Sequence, residues 1–84
     1  MENEFKTYLS DQNLSKNTIT SYLYAIRQFE AKYDKLSKQN LRDYKVYLIE
    51  HYKPQTVNLR IRAINCYLES IQKEQWKLPS VKVQ

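Results

Sequence analysis

The sequence predicts an all-α fold, a compact four-helix bundle, on three observations. Its apolar residues recur every three or four positions from end to end, the period of a helix face, and no segment sustains the alternation of a strand. Ser15 and Ser37 each stand between an apolar residue and a helical pattern, as the capping residue of a helix does. Pro54 opens a further pattern at the helix position where a missing amide hydrogen matters least.

The first helix is expected from about Glu2 to Gln12, with Phe5, Tyr8, Leu9 and Gln12 along one side. Asn13 then suits the left-handed conformation that follows a helix, in place of glycine. In the second helix Ser15 accepts an early amide while Leu14 packs on Ile19 across the first turn. Its buried stripe is Ile19, Tyr22, Ile26, Phe29 and Tyr33, widened by Leu23, and it ends near Lys32 to Lys35, where cations suit the helix dipole. The third helix repeats the device with Leu36, Ser37 and Leu41; Leu41, Tyr44, Leu48 and finally Tyr52 face inward, with Tyr47 beside them. Lys53-Pro54 closes it, because a residue before proline avoids the helical region. The fourth helix is the best specified: Val57, Ile61, Ile64, Leu68 and Ile71 step by four, three, four and three, Tyr52 staples onto Val57 and Tyr67 flanks the stripe. Beyond Lys73 the pattern decays. Trp76, Leu78 and Pro79 are expected to cap the bundle and lead outward, which places a domain over residues 1–77 and the start of a linker over 78–84.

Composition narrows the function. With 84 residues there is room for one small domain, and 14 Lys and Arg against 9 Asp and Glu give a formal charge of +5 that favours a polyanionic partner or an anionic surface. Glycine is absent, where average usage of roughly 7% would supply about six, so no glycine-dependent phosphate loop exists. One cysteine, Cys66, and one histidine, His51, cannot make a zinc site or an internal disulfide, and no metal or cofactor is expected. Cys66 reads as a small residue at the core edge, His51 as a helix C-terminal residue favoured by the dipole. The acids are scattered without a constellation for acid–base work, so the chain is not expected to be an enzyme by itself. No run approaches roughly 18 apolar residues and the first residues are acidic, so a cytoplasmic protein without a membrane partner is expected. Most of the eight tyrosines fall on inner stripes and belong to the core; Tyr24 falls off its stripe, and Trp76 reads as a lid over the bundle end.

Two stretches lack acids: Gln12 to Phe29 and His51 to Leu68. They contain the N-terminal halves of the second and fourth helices, where free amides and the positive dipole end meet small polar and basic side chains. The candidate contacts to double-stranded DNA are Lys16, Asn17, Thr18 and Ser21 in one and Gln55, Thr56, Asn58, Arg60 and Arg62 in the other. Lys16, Arg60 and Arg62 would neutralise phosphates. Asn17, Ser21, Thr56 and Asn58 would reach base edges or sugars, and amides at Lys16 to Thr18 and Gln55 to Thr56 would hold further phosphates. The two helix starts are expected to come side by side in the folded bundle; periodicity does not say whether Arg60 or Arg62 points outward. A helical protein-interaction module with a basic face, and a small helix-turn-helix regulator with the short Tyr52–Pro54 connection, remain open alternatives.

Leu14-Ser-Lys-Asn-Thr-Ile-Thr-Ser-Tyr-Leu23, followed by Pro54-Gln-Thr-Val-Asn-Leu-Arg-Ile-Arg-Ala-Ile-Asn-Cys-Tyr-Leu68, resembles the N-terminal SAM-like, core-binding domain of tyrosine recombinases, the phage-integrase family. Three degenerate motifs of that family fall in order: Leu14, Ser15, Thr18 and Tyr22; Leu41 and Tyr44; Thr56, Asn58, Ile61, Ala63 and Ile64. The resemblance implies a four-helix SAM-like module forming one arm of a C-shaped clamp on the recombination site, with helices two and four toward the major groove. It also implies a tetrameric parent on DNA, a monomeric isolated domain, and a strand-cleaving machinery in a domain after Gln84, so that no tyrosine here is a nucleophile. Family members often carry glycine where this chain has Asn13 and Glu74-Gln75, and basic residues where it has Leu59 and Asn65.

Overall fold

Four helices form where the pattern marks them. The computed structural model describes residues 2–83, with α1 (Glu2–Asp11), α2 (Lys16–Lys32), α3 (Lys38–His51) and α4 (Pro54–Ser70), then a single 3-10 turn, Glu74–Trp76, and an irregular tail. Met1 and Gln84, the outer ends of the expected domain and linker, lie outside the described residues. The fold is all-α, with no strand among the described residues.

The helix ends follow the local chemistry. Ser15 Oγ accepts the Thr18 amide at 3.2 Å and Ser37 Oγ accepts the Asn40 amide at 3.1 Å, each satisfying one of the first-turn donors that a helix leaves orphaned. Pro54 occupies the first turn of α4 after an extended Lys53. Asn13 is left-handed at φ 63°. A second left-handed residue is Gln72, at φ 61°. The Lys73 amide bonds to Leu68 O at 2.8 Å and the Gln72 amide to Glu69 O at 3.1 Å, the paired bonds that close a helix around a residue of this conformation. The turn after α4 thus falls two residues before the Glu74-Gln75 position to which the family's glycine points.

The core draws Phe5 and Leu9 from α1, Leu23, Ile26 and Phe29 from α2, Leu41, Tyr44 and Leu48 from α3, and Val57, Ile61, Ile64 and Leu68 from α4. Ile19, Tyr33, Tyr52 and Ile71 border it half-buried. Ala25 and Ala63 are fully buried as well; their small side chains sit on the two helices that share the largest interface, α2 and α4. Tyr22, Tyr44 and Tyr67 are buried, four further tyrosines are half-buried and Tyr24 is exposed, so the aromatic content builds the core and leaves one ring outside.

The C-terminal segment does not lead outward as its broken periodicity suggests. Leu78 is buried in the core, and the chain from Leu78 to Val81 runs back along α4. Asn65 donates to Leu78 O at 2.9 Å and accepts the Leu78 amide at 2.8 Å; Asn58 does the same with Val81 at 2.9 and 2.8 Å. The spacing explains the fit. Seven residues of helix rise ~10.5 Å and three residues of extended chain span ~10 Å, so two asparagines two turns apart meet two peptide units in register. Lys45 of α3 adds a third tie, donating to Pro79 O at 2.7 Å. A side-chain amide presents an N–H donor beside a carbonyl acceptor, as a backbone does, and can therefore dock an extended strap without a sheet.

Candidate nucleic-acid interface

Between α2 and α4 lie two shallow, adjoining grooves. One is lined by Thr20, Ser21, Tyr24, Leu59 and Arg60, the other by Asn17, Thr18, Ser21, Tyr22, Leu59 and Arg62. At 270 and 200 Å³ they fall below the roughly 300–1,000 Å³ of small-molecule sites, so they suit a convex surface pressed against them. No acidic side chain lines either groove.

The grooves bring together Asn17, Thr18, Ser21, Arg60 and Arg62, five of the nine candidate residues. Lys16 is exposed at the first position of α2 and lines neither. Gln55, exposed, and Thr56, half-buried, also line neither. Thr56 precedes Arg62 by ~9 Å along the helix axis. The expectation that the two helix starts lie side by side is therefore corrected: the start of α2 abuts the middle of α4. The reason is the sense of the crossing, since the later half of α2 meets the start of α4, where Gln28 bonds to Arg60 and Tyr52. Of the amides expected to hold phosphate at the α2 start, that of Thr18 is taken by the Ser15 cap.

Periodicity left Arg60 and Arg62 equivalent; packing separates them. Arg60 is half-buried, its Nη1 donating to Gln28 Oε1 at 2.7 Å, with the guanidinium 4.6 Å from the centre of the Tyr24 ring and 4.8 Å from that of Tyr52. Gln28 Oε1 also accepts the Tyr44 hydroxyl at 2.7 Å, and Gln28 Nε2 donates to the Tyr52 hydroxyl at 2.9 Å. One amide thereby joins α2, α3, the connection after α3, and α4. Burial pushes the Tyr44 hydroxyl up to about 12, whereas hydrogen bonds from Gln28 and then Arg60 hold that of Tyr52 below its ordinary value. Arg62 is exposed, and among the described residues no carboxylate stands within ion-pair distance of it.

Asn58 stands apart from the other candidates because its donor and acceptor are both engaged by Val81. Gln28, conversely, escapes sequence reasoning: it is a polar residue off the apolar stripe, and nothing local marks it as the hub of a network. Cys66 is half-buried, and burial raises its thiol, the reverse of an activated nucleophile. His51 is exposed and packs on Tyr47 with ring centres 4.4 Å apart. Among the described residues no three His, Cys, Asp or Glu side chains cluster as metal ligands, and no helix is long and apolar enough to cross a membrane.

No curated protein and no solved structure matches this chain. The family model of the phage integrase N-terminal SAM-like domain matches residues 2–78, a span that takes in all four helices, the turn after α4 and the buried Leu78. By that match, over nearly its whole length and with the all-α architecture to go with it, the chain belongs to the phage integrase N-terminal SAM-like domain family.

Proposed function

We propose that this domain is the DNA-binding, non-catalytic arm of a site-specific tyrosine recombinase, gripping duplex DNA at the recombination site through α2 and α4. The observation that carries the reading is the pair of acid-free grooves between those helices, with exposed Arg62 and Asn17 beside Thr18 and Ser21, in a chain of the phage integrase family. Arg62 and Lys16 neutralise phosphates, and the free amides at the α2 start add to them. Asn17 and Ser21 reach base edges or sugars; Thr56 and Gln55 extend the contact along the backbone, and Arg60 orients the face from within. Strand cleavage belongs to a catalytic domain joined through a linker beyond the strap. The parent acts in the cytoplasm as a tetramer on DNA, and the isolated domain is a monomer.

The test is a titration of the 15N-labelled domain with duplex DNA at several salt concentrations. Amide shifts are expected over Lys16–Tyr24 and Leu59–Arg62, with affinity falling by a log-log slope of roughly 0.9 for each phosphate neutralised. Shifts confined to Lys38–Glu50 would place the contact elsewhere and overturn the assignment. A protein-interaction role is favoured by a different feature, the exposed Val46 and Ile49 beside Arg42 and Lys45 on α3. Capture of an acidic protein that Ile49→Lys abolishes, with no response to duplex, would support it.

A further inference from the structure

We infer that Leu59, together with Thr20 and Tyr24, forms an apolar strip that reads the methyl groups of thymine in the major groove. The inference rests on the duplex-binding reading above and adds what the surface selects. Leu59 and Ser21 line both grooves, so they form the ridge between them. Leu59 is 38% exposed and Tyr24 51%, and Thr20 and Tyr24 stand one turn apart on α2 within the same groove. Around them are Arg62 and the polar groups of Asn17, Thr18 and Ser21, all suited to phosphate and base edges, with Arg60 held by Gln28 behind them.

A leucine offers a phosphate neither charge nor a hydrogen bond. A duplex presents one distinctive apolar group to a protein in its major groove, the C5-methyl of thymine, and small apolar side chains and threonine methyls are its partners. The strip is also held in place. Arg60 lies over the Tyr24 ring and is itself fixed by Gln28, so the ring does not have to be ordered when the DNA arrives. The ~6 Å from Thr20 to Tyr24 along the helix is close to the rise of two base pairs, so the strip spans neighbouring steps. A basic side chain at position 59 would serve phosphate; leucine there converts the same position to base reading.

The experiment enriches duplexes from a random-sequence pool on the domain and resynthesises the enriched sequences with thymine or with deoxyuridine, which differs by the methyl alone. Enrichment of thymine at one or two positions is expected, with a loss of about fourfold per methyl removed, the change that burying one CH2-sized group corresponds to. Leu59→Ala should lose a similar factor on the thymine duplex and nothing more on the uracil duplex. Leu59→Lys should bind both alike with a salt slope steeper by roughly 0.9. Circular dichroism of both variants confirms the fold, since the replaced side chain is exposed. Equal binding of wild-type domain to both duplexes, or enrichment without thymine preference, overturns this inference and leaves DNA binding standing. Failure to bind any duplex overturns both.

Discussion

Replacing Asn65 by alanine tests whether the strap is part of the fold. The side chain makes two hydrogen bonds of 2.9 and 2.8 Å to the peptide groups of Leu78, a residue 8% exposed. At a net value of about 1 kcal/mol per bond, their loss costs ~2 kcal/mol if the strap stays in place and water reaches the freed groups. If the strap lifts, exposure of the Leu78 side chain adds about 1.5–3 kcal/mol. For a domain of this size, the lower figure alone lowers the melting temperature by about 8–16 °C. Urea unfolding followed by far-ultraviolet circular dichroism gives the stability, and the fluorescence of Trp76, the sole tryptophan, reports on the turn just before the strap. Asn65→Asp is the discriminating companion: it keeps the acceptor for the Leu78 amide but sets a carboxylate against the Leu78 carbonyl, so it should destabilise at neutral pH and recover in part on acidification. Asn58→Ala, at the half-buried Val81 rung, should cost less, and the two alanine changes should combine non-additively because they hold one segment. An Asn65→Ala loss below ~0.5 kcal/mol, with unchanged hydrogen exchange at the Leu78 amide, would refute the reasoning.

Three further outcomes follow from the geometry. Arg62→Ala should leave stability unchanged and reduce the salt slope of duplex binding by roughly 0.9, whereas Arg60→Ala should lower urea stability by about 1–2 kcal/mol, because it removes a charged donor from the Gln28 network; equal effects on both readouts would contradict the separation seen in the packing. Tyr44, raised from about 10 to about 12, is neutral in the folded chain where the unfolded phenol already ionises, so its contribution is intact below pH 10 and is lost as the pH rises toward 12; urea titrations between pH 9 and 11.5 should show stability falling, and Tyr44→Phe should flatten the fall. Asn13→Gly and Gln72→Gly should each raise the melting temperature, Gln72→Gly more so because asparagine tolerates the left-handed region better than glutamine; a decrease at either site would show that side-chain contacts outweigh the backbone gain.

The helices were legible because their signals are local. A serine next to a leucine, a proline at a first turn and a stripe stepping by three and four act within one or two turns, and their outcome does not depend on what lies across the bundle. The same holds for Asn13, whose tolerance of positive φ is its own property. The surface was legible only as a composition: the absence of acids from two stretches is visible in the sequence, and both reach the α2/α4 face. How they meet was not, since the crossing of α2 and α4 sets which turn opposes which, and it brings Arg62 rather than Thr56 beside Thr18.

Sequence alone therefore determined the number of helices, their caps, the core stripes and the two acid-free stretches, each a matter of what stands where along one chain. Tertiary structure decided the roles of particular polar side chains. Asn58 and Asn65 became holders of a strap, Gln28 the centre of a half-buried network and Arg60 its partner, while Arg62 was left facing outward. The physical reason is that a polar side chain takes its role from the donor or acceptor that packing brings within about 3 Å, and these partners lie 13 to 32 residues away along the chain, except at Arg62, to which packing brings none among the described residues.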